Sequence, residues 1–310
     1  MRLIIIVFSI TLTGCGLFLN SLKLKDTSNK IISISDSSII FADNTRLYLN
    51  QKIFQNSKPI VVCIHGMGAH TKSFDYLNKF LNEDSISTFA YDLKGFGRST
   101  GDRGRIDNFG TYLDELDQII ELLHHNYSPR KIVLLGESLG SSLILWYGSE
   151  YKNSKYDSSI LTSLTTTFGA GNTNFFKLFE LFFWYVVNPN KRIFIDKESE
   201  DISKDSLFVN RVDSTDIYAQ KEISISFLLQ TKYLKDHIEE FSKNYNKSVL
   251  FINGSEDFLS TDEDMKEIYK LIPAKKKSYF RIEGGTHSLL NDDSRYKGFK
   301  IIKKWLNKLK

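Results

Sequence analysis

The side chains best able to do chemistry are a serine near the middle of the chain and a carboxylate and a histidine towards its end. Gly136-Glu137-Ser138-Leu139-Gly140 follows the apolar run Lys131 to Leu135 and opens a helical run. A G-x-S-x-G at a strand-to-helix junction forms a sharp turn that exposes the hydroxyl. Glycines flank it because a Cβ there would strike neighbouring backbone. The serine also stands at a helix N-terminus, where free N–H groups favour developing negative charge.

A serine hydroxyl is a weak nucleophile without a base, and the base needs an orienting carboxylate. Gly254-Ser255-Glu256-Asp257 follows the strand-like run Ser248 to Asn253, and Gly284-Gly285-Thr286-His287 follows Ser278 to Glu283. Of six histidines only His287 lies beyond Asp257, so the order Ser, Asp, His selects it. Glu256, Asp262 and Asp264 are rivals for the acid, although the last two begin a helical pattern and read as caps. Acyl transfer also needs preorganised donors for the oxyanion. His65-Gly66-Met67-Gly68 ends the run Ile60 to Ile64, so the backbone N–H groups of Met67 and Leu139 are the expected pair. This chemistry requires no metal and no cofactor.

These residues need a scaffold that brings distant loops together. Strand-like runs at Ile31 to Ser35, Leu47 to Phe54, Ile60 to Ile64, Ile86 to Tyr91, Lys131 to Leu135, Ser159 to Leu164, Ser248 to Asn253 and Ser278 to Glu283 alternate with helical patterns at 72–81, 107–124, 139–147, 261–271 and 291–309. In the helix over 107–124, an Asp-type residue opens a repeat of apolar side chains at steps of three and four. Such alternation predicts an α/β fold with a mostly parallel eight-stranded sheet covered by helices on both faces. The interval from about 169 to 240 breaks the rhythm, is aromatic and helix-rich, lacks clear strands, and reads as an inserted cap. Within it Phe175, Phe179, Phe182, Phe183 and Trp184 belong to a segment apolar nearly all round a helix, too short to span a bilayer. Such a segment is buried or touches lipid: it reads as cap core packed over the catalytic domain, the alternative being that its outer face dips into the membrane and gives substrates an apolar route to Ser138.

The composition, 41% hydrophobic and 25% charged, is that of a globular chain. The net charge of +4 is dispersed apart from Lys275, Lys276, Lys277 and the Lys-rich C-terminus, which argues against a nucleic-acid partner. Arg2, the apolar stretch Leu3 to Leu12 and then Leu12-Thr13-Gly14-Cys15 resemble a bacterial lipoprotein signal with its lipobox. That resemblance implies removal of residues 1–14, acylation of Cys15, a tether over 15–30, and a folded body over 31–310 held to a membrane of the bacterial envelope. The remaining cysteine, Cys63, lies in an apolar run and reads as a buried small hydrophobe.

Taken together, His65-Gly66-Met67-Gly68-Ala69-His70, Asp92 to Ser99, Gly136 to Gly140, Gly254 to Asp257 and Gly285-Thr286-His287 are similar to the monoacylglycerol lipase and lysophospholipase branch of the α/β-hydrolase superfamily. The resemblance implies a serine hydrolase acting on a lipid-like ester, with Ser138, Asp257 and His287 catalytic, and a structural role for Asp92 to Ser99. Ala69 and Ser288 stand where relatives often carry Glu, and Glu137 where they often carry His. Carboxylesterase, thioesterase or peptidase activity on the same fold, or lipid or partner binding without catalysis, are the competing readings. Oligomeric state is not legible.

Overall fold

A computed structural model describes residues 29–55, 58–127, 131–165, 180, 183–195 and 202–309. The strands β1 (Ile31–Ile34), β2 (Ser38–Phe41), β3 (Arg46–Lys52), β4 (Ile60–Ile64), β5 (Ser87–Tyr91), β6 (Ile132–Glu137), β7 (Ser158–Thr162), β10 (Ser248–Gly254) and β11 (Lys277–Ile282) form one sheet. Its order is β1-β2-β3-β5-β4-β6-β7-β10-β11. From β5 onward the neighbours are parallel, whereas β1, β2 and β3 pair antiparallel at one edge.

The sheet has nine strands rather than the eight expected. The extra one is β2, four residues in Ser-rich surroundings, too short to separate from β1 by its own alternation. Strands β4, β5, β6 and β7 are buried along their whole length, as strands covered on both faces must be. Ile60, Val62 and Ile64 enter one apolar cluster and Val61 and Cys63 the other, so the two cores lie on opposite faces of β4.

Around the sheet run α1 (Asp75–Glu83), α2 (Gly110–Tyr127), α3 (Leu139–Glu150), α7 (Asp262–Leu271) and α8 (Arg295–Leu306). The first residue of α2 donates to Asn108 Oδ1 at 2.7 Å, while Asp107 pairs with Arg105. The chain leaves β7 by turning at Ser163, whose φ is 50°. Thr261, rather than Asp262 or Asp264, caps α7 by accepting from the Asp264 N–H. The two aspartates sit in the first turn instead, where the helix dipole favours them.

Between β7 and β10 the chain adds a small antiparallel pair, β8 (Arg192–Phe194) with β9 (Glu222–Ser224), which the sequence did not suggest. It also adds α4 (Ser206–Asn210), α5 (Ile225–Asp236) and α6 (Ile238–Lys243). Helices α5 and α6 merge with the main core. Phe227 meets Phe96 and Phe109 at 5.3 and 4.8 Å between ring centroids, and Phe241 stacks on Trp146 of α3 at 5.8 Å. Among the described residues no helix is long and apolar enough to cross a membrane.

Candidate active site

Strand β4 lies between β5 and β6, so successive connections leave it on opposite sides and a crevice opens at the carboxyl ends of the strands. Ser138 stands there, at the N-cap of α3, with φ 55° and ψ −117°. That backbone is costly for any residue with a Cβ, of order 1–3 kcal/mol. The surroundings impose it. The Ser138 N–H donates to the Thr162 carbonyl at 3.0 Å. A Cβ on Gly136 would lie 2.5 Å from the Gly140 carbonyl carbon, and one on Gly140 would lie 2.0 Å from the Ile64 oxygen.

The loops after β10 and β11 bring the other two groups to this point. His287 Nδ1 lies 2.9 and 3.0 Å from the Asp257 carboxylate oxygens, and His287 Nε2 lies 2.9 Å from Ser138 Oγ. A carboxylate can only accept, so Nδ1 carries the proton and Nε2 accepts from the serine hydroxyl. The Asp257 side chain is fully buried, and Oδ1 also accepts from the N–H groups of Leu259 and Ser260 at 3.0 Å each. The rivals are engaged elsewhere. Glu256 is half exposed beside Lys204, and Asp262 pairs with Lys266 and Tyr279. Asp264 lies in the first turn of α7.

The loop carrying His287 is gripped from the insertion. Ser288 N–H donates to the Ile202 carbonyl at 2.7 Å, and the Thr286 hydroxyl donates to the same oxygen at 2.9 Å. Glu137, beside Ser138, is buried and accepts from Leu290 N–H at 3.4 Å. Burial pushes its carboxyl up to about 8, with the nearby Asp257 charge adding to the effect of desolvation.

Met67 and Leu139 line the same cavity as Ser138, and among the described residues neither backbone N–H donates to a protein acceptor. A Cβ on Gly66 would stand 3.2 Å from Ser138 Cβ, so the loop after β4 passes against that serine. His65 fixes that loop. Its Nδ1–H donates to Gly66 O at 2.8 Å and its Nε2 accepts from Leu93 N–H at 3.0 Å. Burial pulls the imidazole down to about 4, so it is neutral and structural. Asp92 is structural too, accepting from the N–H groups of Thr71 and Arg98 at 2.7 Å each.

The cavity above Ser138 holds about 580 Å³, within the size range of small-molecule sites. Met67, Phe194, Ile195, Ile202, Phe208 and Leu234 give it apolar walls, while Arg211, Asp213 and Lys221 add charge. Phe183 and Trp184 stay outside it. Phe183 is 47% exposed, and Trp184 lies under the Lys191 ammonium. Phe175, Phe179, Phe182 and Cys15 lie outside the described residues. The lining residues Phe194, Ile195, Ile202 and Phe208 follow no period that would have singled them out. Thr165, whose hydroxyl lies 3.0 Å from Ser138 Oγ, was hidden in the run Thr165-Thr166-Thr167. Among the described residues no group of three or more His, Cys, Asp or Glu side chains converges as a metal site would. Cys63 is buried, and burial pushes its thiol up.

A parallel sheet with a serine elbow, and with a histidine and a carboxylate on later loops, defines an α/β-hydrolase of the monoglyceride lipase and esterase type. More specifically, the chain belongs to the family described as serine aminopeptidase, S33, which it matches over residues 55–294. Among curated relatives, monoglyceride lipase of Rattus norvegicus is 22% identical over 75% of this chain and 76% of its own length. The structure of a soluble variant of monoglyceride lipase from Saccharomyces cerevisiae, in complex with a substrate analog, superposes with a TM-score of 0.78 at 18% identity, covering 91% of this chain and 98% of that one. Monoacylglycerol lipase of Paleococcus ferrophilus superposes at 0.74 with 21% identity, covering 84% and 98%.

Proposed function

We propose that the protein is a serine esterase that cleaves lipid-like carboxylic esters, monoacylglycerols or lysophospholipids, through an acyl-enzyme on Ser138. The observation that carries this reading is the chain of hydrogen bonds from Asp257 through His287 to Ser138 Oγ, opening on an apolar-walled cavity. Names of the relatives support the substrate class. Ser138 Oγ attacks the ester carbonyl as His287 Nε2 takes its proton, and Asp257 holds the imidazole in the right tautomer and stabilises the imidazolium. The N–H groups of Met67 and Leu139 receive the oxyanion, each donor contributing about 10²–10³ in rate. His287 then protonates the departing alcohol, and water repeats the sequence on the acyl-enzyme.

Phe183, Val186, Val187, Phe194 and Leu207 are exposed large hydrophobics on the insertion, and they suit a protein tethered through an acylated Cys15 to a membrane that supplies its substrate. A fluorophosphonate probe and an ester panel test the proposal together. Wild type should label, Ser138→Ala should not, and monoacylglycerol or lysophospholipid should outrun short-chain esters. Labelled protein should sediment with membranes and be released by Cys15→Ser. Absence of labelling would leave a binding protein, and preference for short chains would leave a small-ester carboxylesterase.

A further inference from the structure

Ser138 Oγ has two partners, and one of them is not accounted for by the acid–base relay. Its single proton goes to His287 Nε2 at 2.9 Å, so the Thr165 hydroxyl at 3.0 Å must be a donor to the same oxygen. Thr165 lies two residues beyond a left-handed turn. The chain leaves β7 through Ser163, a buried non-glycine residue at φ 50° whose N–H donates to the Ile252 carbonyl at 3.2 Å. Left-handed backbone without glycine costs energy and persists where the surroundings demand it. Here it delivers one hydroxyl to the reacting oxygen, inside the cavity.

We infer that Thr165 is a catalytic residue that favours deacylation, by donating a hydrogen bond to Ser138 Oγ as that oxygen leaves the acyl group. The inference rests on Ser138 being the nucleophile. In deacylation, water bonds to the acyl carbon while His287 Nε2 takes a water proton. The tetrahedral intermediate then collapses, the C–Oγ bond breaks, its electron pair stays on Oγ, and His287 returns the proton there. Charge therefore builds on Oγ, and a hydrogen bond to it strengthens along the step. Acylation runs the other way. Oγ begins as a good acceptor and ends as the alkyl oxygen of an ester, a poor one, so the same bond is lost during attack. A donor in this place biases the enzyme against a lingering acyl-enzyme.

The asymmetry separates this role from a merely structural one, which would slow both half-reactions. Thr165→Val keeps the shape and removes the donor, Thr165→Ser restores it, and Thr165→Ala serves if valine does not fold. With a p-nitrophenyl ester in stopped flow, valine should lower the steady-state rate about tenfold and raise the burst amplitude towards one equivalent. Its second-order rate of fluorophosphonate labelling, which reports attack by Oγ, should match or exceed that of wild type. Serine should return turnover and burst to wild-type values. Parallel loss of labelling and turnover, or a turnover and burst unchanged by valine, would overturn the role of Thr165 while leaving Ser138 as nucleophile. Failure of wild type to label would instead remove the nucleophile, and this inference with it.

Discussion

The loops after β5 and β10 each hold an aspartate whose carboxylate is buried at the carboxyl edge of the sheet, and each carboxylate accepts from two backbone N–H groups. They differ in what else they touch. Asp92 is closed in by Gly97, where a Cβ would stand 2.0 Å from Oδ2, and the two amides it accepts from tie its own turn to Thr71 in the loop after β4. Asp257 turns its remaining capacity to an imidazole that faces a cavity. Burial and amide contacts alone thus do not mark a catalytic acid. The partner that can move a proton does.

The largest effect that could break this contrast is at Asp257. Asp257→Asn removes the acceptor that fixes the Nδ1–H tautomer, and kcat should fall about 10⁴-fold with the fold intact by circular dichroism. Glu256→Gln, one residue away but half exposed, should stay within about twofold. Equal losses at the two would reassign the acid.

At Asp92 the effect should appear in stability rather than in chemistry. Asp92→Asn weakens two charge-assisted hydrogen bonds in a buried turn, so chemical denaturation should show a loss of about 2–3 kcal/mol. The folded fraction should keep its kcat within a few-fold. A collapse of kcat at unchanged stability would erase the distinction between the two loops.

A third effect, read only in the pH dependence of stability, concerns Glu137, a third buried carboxyl at this edge, with one long amide contact. Its carboxyl is raised from 4.5 to about 8, first by desolvation and then by the Asp257 charge. The folded state therefore holds a proton that the unfolded state releases. Stability should fall by about 1.4 kcal/mol per pH unit between those two values and level off above them. Buried Glu115 is also raised to about 8 and should add the same slope. Glu137→Gln should remove only its own share, so its advantage over wild type in denaturation midpoint should be greater at pH 8 than at pH 5. An advantage independent of pH would mean that Glu137 is ionised in the folded protein throughout.

Much of this site was legible because its residues sit at junctions. Ser138, Asp257 and His287 each follow a strand-like run, and the linear order alone picked one histidine of six. What escaped was set by tertiary contact. β2 is too short to show its own period, and β8 and β9 are three-residue strands that exist only as each other's partners. Helices α5 and α6 read as part of an inserted cap, yet Phe227, Tyr233 and Phe241 belong to the main core. The cap aromatics Phe183 and Trp184 attracted notice by density, while the walls of the cavity came from Phe194, Ile195, Ile202 and Phe208, on or near elements too short to show a period.

The clearance at Gly140 has a wider consequence. Because that residue meets the Ile64 carbonyl with no room for a methyl group, the turn holding Ser138 and the turn leading to Met67 are keyed together as one rigid casting. The chemistry is thereby inherited whole or lost whole. The side chains of Phe194, Ile195 and Phe208 on the far wall stand outside that key, so new substrates can be accommodated by rewriting them while the reaction itself is passed on untouched.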